Sequence, residues 1–144
     1  GPENRFRKSL HDKLPSELHH EKMHNPYRGG TFDDWYSGKK GDIWVEYKWI
    51  PRIPRSGLVV PALSPLQLKW GRERYEEGRK VYVIVGCPEG GVIFETPDLW
   101  KDGGNTISTK TAIVAWLVTQ TMGVLDAKGN TKTIRNGKRK SKHI

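Results

Sequence analysis

The 144-residue chain has a single cysteine, Cys87, so no intramolecular disulfide can form, and its Cys and His residues miss the spacings of a zinc site. It has no apolar run near the ~18 residues that a membrane helix needs and no signal-peptide pattern at its start. The expectation is a soluble, intracellular protein with no membrane partner. Acidic residues are scarce, 16 against 25 Lys and Arg, and the resulting net charge of +9 points to a polyanionic partner. Neither length nor composition suggests disorder or several domains. The length fits one core, and 35% hydrophobic residues with six Trp supply the apolar surface to pack it. Gly1-Pro2 reads as the remnant of a cleaved tag.

The positive excess gathers at the C-terminus. From 124 to 144, Lys128, Lys132, Arg135, Lys138, Arg139, Lys140 and Lys142 face only Asp126. The division expected is a folded unit over 3–123 and a basic tail over 124–144, which is either a solvated end or a phosphate-binding arm.

Within the folded unit, Phe6, Leu10, Leu14 and Leu18 recur every four residues and predict an amphipathic helix over 4–20, which Pro15 should break or shorten. Turn chemistry at 25–30 precedes two segments, 31–37 and 42–49, joined by Gly38-Lys39-Lys40-Gly41 as a hairpin. Ser64-Pro65-Leu66-Gln67 carries N-cap, first-turn Pro and capping-box residues, so a helix should run from there to Gly78. Strands are predicted over 81–85 and 91–95, then a Gly-rich link and a final helix over 109–122. The order αββαββα belongs to α/β or α+β folds.

Period-two alternation puts Glu46 and Lys48 on one face of the second strand. With Asp33 they form the set that phosphodiester hydrolysis needs: carboxylates to hold a metal, and a donor to orient water. Magnesium takes hard oxygen ligands and keeps several waters, so Asp33, Glu46 and the carbonyl of Tyr47 would be protein enough. Alone, an alternating acid and lysine fit a solvated strand face better than a site, and Gln67 could be a capping residue only. The Trp residues suit core or stacking platform, and His11, His19, His20 and His24 suit surface or turn positions.

Gly30-Thr31-Phe32-Asp33, thirteen residues before Glu46-Tyr47-Lys48, followed by Ser64-Pro65-Leu66-Gln67, resembles the PD-(D/E)XK nucleases, in particular small VRR-NUC-like and phage-borne members. Two departures stand out: Phe32 replaces the usual Pro, and Asp34 beside Asp33 leaves the register open by one residue. The resemblance implies a central mixed four-stranded sheet flanked by helices, with Asp33, Glu46, Lys48 and Gln67 as catalytic residues. It implies Mg2+, with Mn2+ able to substitute, and a further acid from the first helix region. Glu3 is best placed for that, with Glu17 and Glu21 in reserve. The activity implied is that of a DNA endonuclease on double-stranded DNA, of a site-specific homing type from a phage or mobile element. It would act as a homodimer or higher assembly in the cytoplasm of a bacterial or phage-infected cell. The alternatives are a structure-selective flap or junction nuclease and a non-catalytic DNA-binding module. Arg28, Lys39, Lys40, Arg52 and Arg55, which flank the motif in sequence, and Lys138, Arg139 and Lys140 in the tail are the expected DNA contacts.

Overall fold

The computed structural model describes residues 1–23 and 29–123 in full, and beyond them the backbone at 124–125, 131–132, 134–135 and 138–139. Helix α1 spans Pro2–His11 and buries Phe6 and Leu10. It is shorter than the expected 4–20. Pro15 has no N–H to give the carbonyl of His11, and that carbonyl instead accepts from Leu14 at 3.1 Å in a tightened last turn. Leu14 and Leu18 still pack on the core from the loop that follows.

Five strands form one sheet: β1 (His19–Lys22), β2 (Asp34–Ser37), β3 (Asp42–Trp49), β4 (Val81–Cys87) and β5 (Gly90–Phe94), in that spatial order. The sheet is mixed as expected, but has five strands rather than four because β1 adds antiparallel to β2 at the edge. Its residues are all exposed, which is why no alternation marked it. Strands β3 and β4 run parallel, so a crossover must join them, and helix α2 (Pro65–Glu76) makes it. The stretch expected as a link contains a further short helix, α3 (Pro97–Asp102), before α4 (Lys110–Met122).

The helices cover both sheet faces. Phe6, Leu10, Tyr36, Ile43, Val45, Tyr47, Ile113 and Leu117 pack between the sheet and α1 with α4. Phe32, Val81, Val83, Val85, Phe94 and Trp100 pack on the α2 and α3 side. Burying the second set alone contributes on the order of 1.5–3 kcal/mol per large side chain. In the C-terminal segment, β6 (Val124–Leu125) pairs with β7 (Thr131–Lys132), and β8 (Ile134–Arg135) with β9 (Lys138–Arg139).

Candidate active site

Strand β3 carries two chemistries on its two faces. Ile43, Val45 and Tyr47 enter the α1–α4 core, while Glu46 and Lys48 point to the α2 side. Glu46 is a buried carboxylate with two donors. The backbone N–H of Asp33 reaches Oε1 at 3.2 Å, and the side-chain amide of Gln67 reaches Oε2 at 3.1 Å. Lys48 Nζ lies 3.8 Å from the same Oε2. Burial foremost, and then the charge of Asp33, pushes the Glu46 carboxyl up to about 8, with Lys48 opposing the shift.

The backbone around this group is tightly fixed. The carbonyl of Asp33 accepts from Met23 N–H, which extends the β1–β2 pairing past Asp34. Gly30 takes φ +100, and a Cβ there would fall on the carbonyl oxygen of Leu66, so the turn into Asp33 presses directly on the first turn of α2. At Gly71 a Cβ would come within 2.7 Å of Phe32 and of Trp100. The missing side chain lets α2 settle onto them. Phe32 is fully buried between Trp70 and Trp100 at ring-centroid distances of 5.1 and 5.5 Å. It anchors the turn by packing.

The two adjacent aspartates part ways. Asp34 lies on the α1 face, where Arg7 holds it with two bonds, Nε to Oδ2 at 2.8 Å and a terminal nitrogen to Oδ1 at 2.5 Å. Burial pushes its carboxyl up and the Arg7 bond pulls it back. Asp33 is left on the Glu46 side. Nothing in the sequence marked Arg7 for this role.

Glu3, on the first turn of α1, lies within electrostatic reach of this group. Its carboxyl is pushed up first by burial, and it feels both Lys48 and Asp33. Glu21 and Glu17 do not join it: Glu21 is exposed on β1 and bonded to His19 at 2.7 Å, and Glu17 is exposed beside Ser16. Lys39 and Lys40 do not flank the cluster either. They occupy the β2–β3 turn at the opposite end of β3 from Lys48, with the Lys40 backbone bonded to Thr121. Arg52 and Arg55 are exposed in the loop leaving the Lys48 end. Arg28, His24 and Lys140 lie outside the described residues, as do the side chains of Lys138 and Arg139.

The donor set fits a hard divalent cation. Trp44 and Ile50 both give their N–H groups to the β4 side, so the even-numbered residues of β3 face β4 and the Tyr47 carbonyl faces the other edge. Pairing with β2 stops at Val45, which leaves that edge without a strand partner at Tyr47. Among the described residues no three His, Cys, Asp or Glu side chains group closely enough to hold an ion unaided. A cation here would therefore rest on Asp33, Glu46, the Tyr47 carbonyl and water, as magnesium does. It would also offset the negative charge that raises Glu46.

The chain is thus a mixed α/β protein whose sheet carries a fixed, buried carboxylate at the carboxyl half of its central strand. Its fold is similar to that of Archaeoglobus fulgidus Hjc, a Holliday junction resolvase from an archaeal hyperthermophile. The TM-score is 0.51 at 12% identity, over 79% of this chain and 98% of the resolvase. No protein-family model and no curated protein matches the chain. Among the described residues no helix is long and apolar enough to cross a membrane.

Proposed function

We propose that the chain is a divalent-metal-dependent DNA endonuclease of the PD-(D/E)XK type, selective for branched DNA structure. The observation that carries this is the convergence of Asp33, Glu46, Lys48 and Gln67, from a turn, one strand and a helix, on a resolvase-like frame. Asp33, Glu46 and the Tyr47 carbonyl would hold magnesium, or manganese in its place. The bound ion supplies Lewis acidity and a water of lowered pKa. Lys48 would orient that water toward the phosphorus and balance charge on the phosphate oxygens. Gln67 and the Asp33 N–H keep Glu46 aimed. Glu3 is the additional acid at the cluster's rim.

Support moves from the site-specific, homing-type reading to the structure-selective one, because the similar fold belongs to a resolvase of Holliday junctions. Four-way junctions have paired strands to cut, so a homodimer is the expected working form. Arg52 and Arg55, exposed in the loop that leaves β3 after Lys48, are the proposed contacts to the strand beside the scissile phosphate. The test is incubation with four-way junction, flap, single-stranded and randomised linear duplex DNAs, in magnesium or chelator. Junctions or flaps should be cut in magnesium alone, with linear duplex spared. Cleavage of linear duplex at one sequence would restore the homing-type reading. Binding without any cleavage would make the chain a DNA-binding module.

A further inference from the structure

The first turns of α1 have two working flanks. On one, Arg7 holds Asp34, and Glu3 a turn earlier is within electrostatic reach of Asp33. The opposite flank helps to bound a cavity of about 210 Å³ lined by Pro2, Arg5, Phe6, Trp49 and Lys110. Trp49 follows Lys48 in β3 and projects to the other sheet face, so the cavity and the carboxylate cluster share one end of the central strand. Its indole is partly buried and packs on Phe6 at 5.9 Å between ring centroids, and Lys110 Nζ lies 6.0 Å from the Phe6 ring.

No acidic side chain lines this space. Neither Arg5 nor Lys110 joins a salt bridge among the described residues. Two cations and an indole therefore border a half-open surface pocket of about 210 Å³. Arg5 is exposed and Lys110 sits over the Phe6 ring, so neither cation is taken up by an acid among the described residues. Cations set beside an aromatic face are what an unpaired nucleotide requires: a stacking surface for the base and positive charge for its phosphates.

We infer that this cavity receives one unpaired nucleotide of a DNA strand, its base stacked on Trp49 and its flanking phosphates held by Arg5 and Lys110. The inference rests on the DNA-binding part of the proposed function, not on cleavage, and names the feature that the same end of β3 selects. A base inside a duplex is stacked and paired and cannot enter. A strand parting from its partner at a branch can, whatever its sequence, because every base presents a π face.

The test is binding by fluorescence anisotropy in chelator, so that cleavage plays no part. The probes are labelled oligothymidylate, a four-way junction with unpaired thymines at its branch, and fully paired linear duplex. Trp49→Leu should weaken binding of the first two by about fivefold or more. Binding of linear duplex should stay within about twofold, because its paired and stacked bases offer no free π face to Trp49. The Arg5→Gln/Lys110→Gln double variant, which changes polar ends only, should flatten the salt dependence of oligothymidylate binding. It also provides the readout if Trp49→Leu does not fold. Equal weakening on all three DNAs, or none on oligothymidylate, overturns the inference. A wild type that binds branched DNA but never cuts it in magnesium overturns the nuclease reading instead and leaves this one standing.

Discussion

Gln67 donates its side-chain amide to Glu46 Oε2 at 3.1 Å, and the orientation of that amide is set from its other end. Its carbonyl oxygen accepts from the backbone N–H of Ser64 at 2.9 Å, while the Ser64 hydroxyl accepts from the Gln67 N–H at 3.1 Å. The capping box at the start of α2 therefore points the NH₂ group at the buried carboxylate. Helix initiation and site assembly are one arrangement. The sequence left open whether Gln67 was a capping residue or a site residue; its side chain makes both sets of contacts.

Two substitutions separate these roles. Ser64→Ala removes the cap alone and should cost about 0.5–2 kcal/mol of stability, with cleavage at saturating DNA little changed. Gln67→Ala also frees Glu46, and by comparison with other groups that orient metal ligands it should lower the cleavage rate about 10–100-fold. Urea unfolding and single-turnover cleavage measure the two effects. Equal cleavage by both variants would reduce Gln67 to a capping residue.

The neighbouring aspartates should fail in different ways. Asp34→Asn leaves the partly buried Arg7 without its charge partner and should destabilise the fold by roughly 1.5–3 kcal/mol. Asp33→Asn should leave stability near wild type and stop cleavage, with DNA binding retained. Chemical denaturation of the two variants checks the assignment, and reversed phenotypes would move the motif acid to Asp34.

Much of this was legible in the sequence where local chemistry decides. The Ser64 cap, the hairpin over 31–49 and the shared face of Glu46 and Lys48 follow from turn residues and period-two alternation. What depended on tertiary placement was hidden. Strand β1 is a polar edge, His-His-Glu-Lys, that forms because β2 offers a partner, and α3 is too short to show a period. The choice between Asp33 and Asp34 turns on where β2 begins, which no single residue announces. Lys39 and Lys40 lie near the motif in sequence, yet the hairpin carries them to the far end of β3. The chain of hydroxyls from His11 through Tyr36 to Tyr47, each bond 2.7 Å, needs three elements at once.

That chain gives the fold a pH dependence. Burial first, then the nearby His20 and Arg7, hold His11 down at about 4 against an ordinary 6.5. Between those values the unfolded chain takes a proton that the folded chain refuses. The stability due to neutral His11 is thus full above about pH 6.5 and lost as pH falls toward about 4. In urea melts at pH 7.5, 6 and 5, the advantage of wild type over His11→Gln should shrink with falling pH. A constant difference would mean that His11 does not titrate in this window.

Glu46 and Asp33 are the proposed acids of a metal-dependent cleavage centre. The direct measurement is cleavage of a labelled four-way junction in magnesium by wild type, Glu46→Gln and Asp33→Asn, with junction binding followed in parallel. Wild type should cut. Both variants should lose more than about a hundredfold in rate, beyond the loss usual for groups that only orient a ligand, while binding the junction at least as tightly. Cleavage by either variant at the wild-type rate would contradict the assignment of this site.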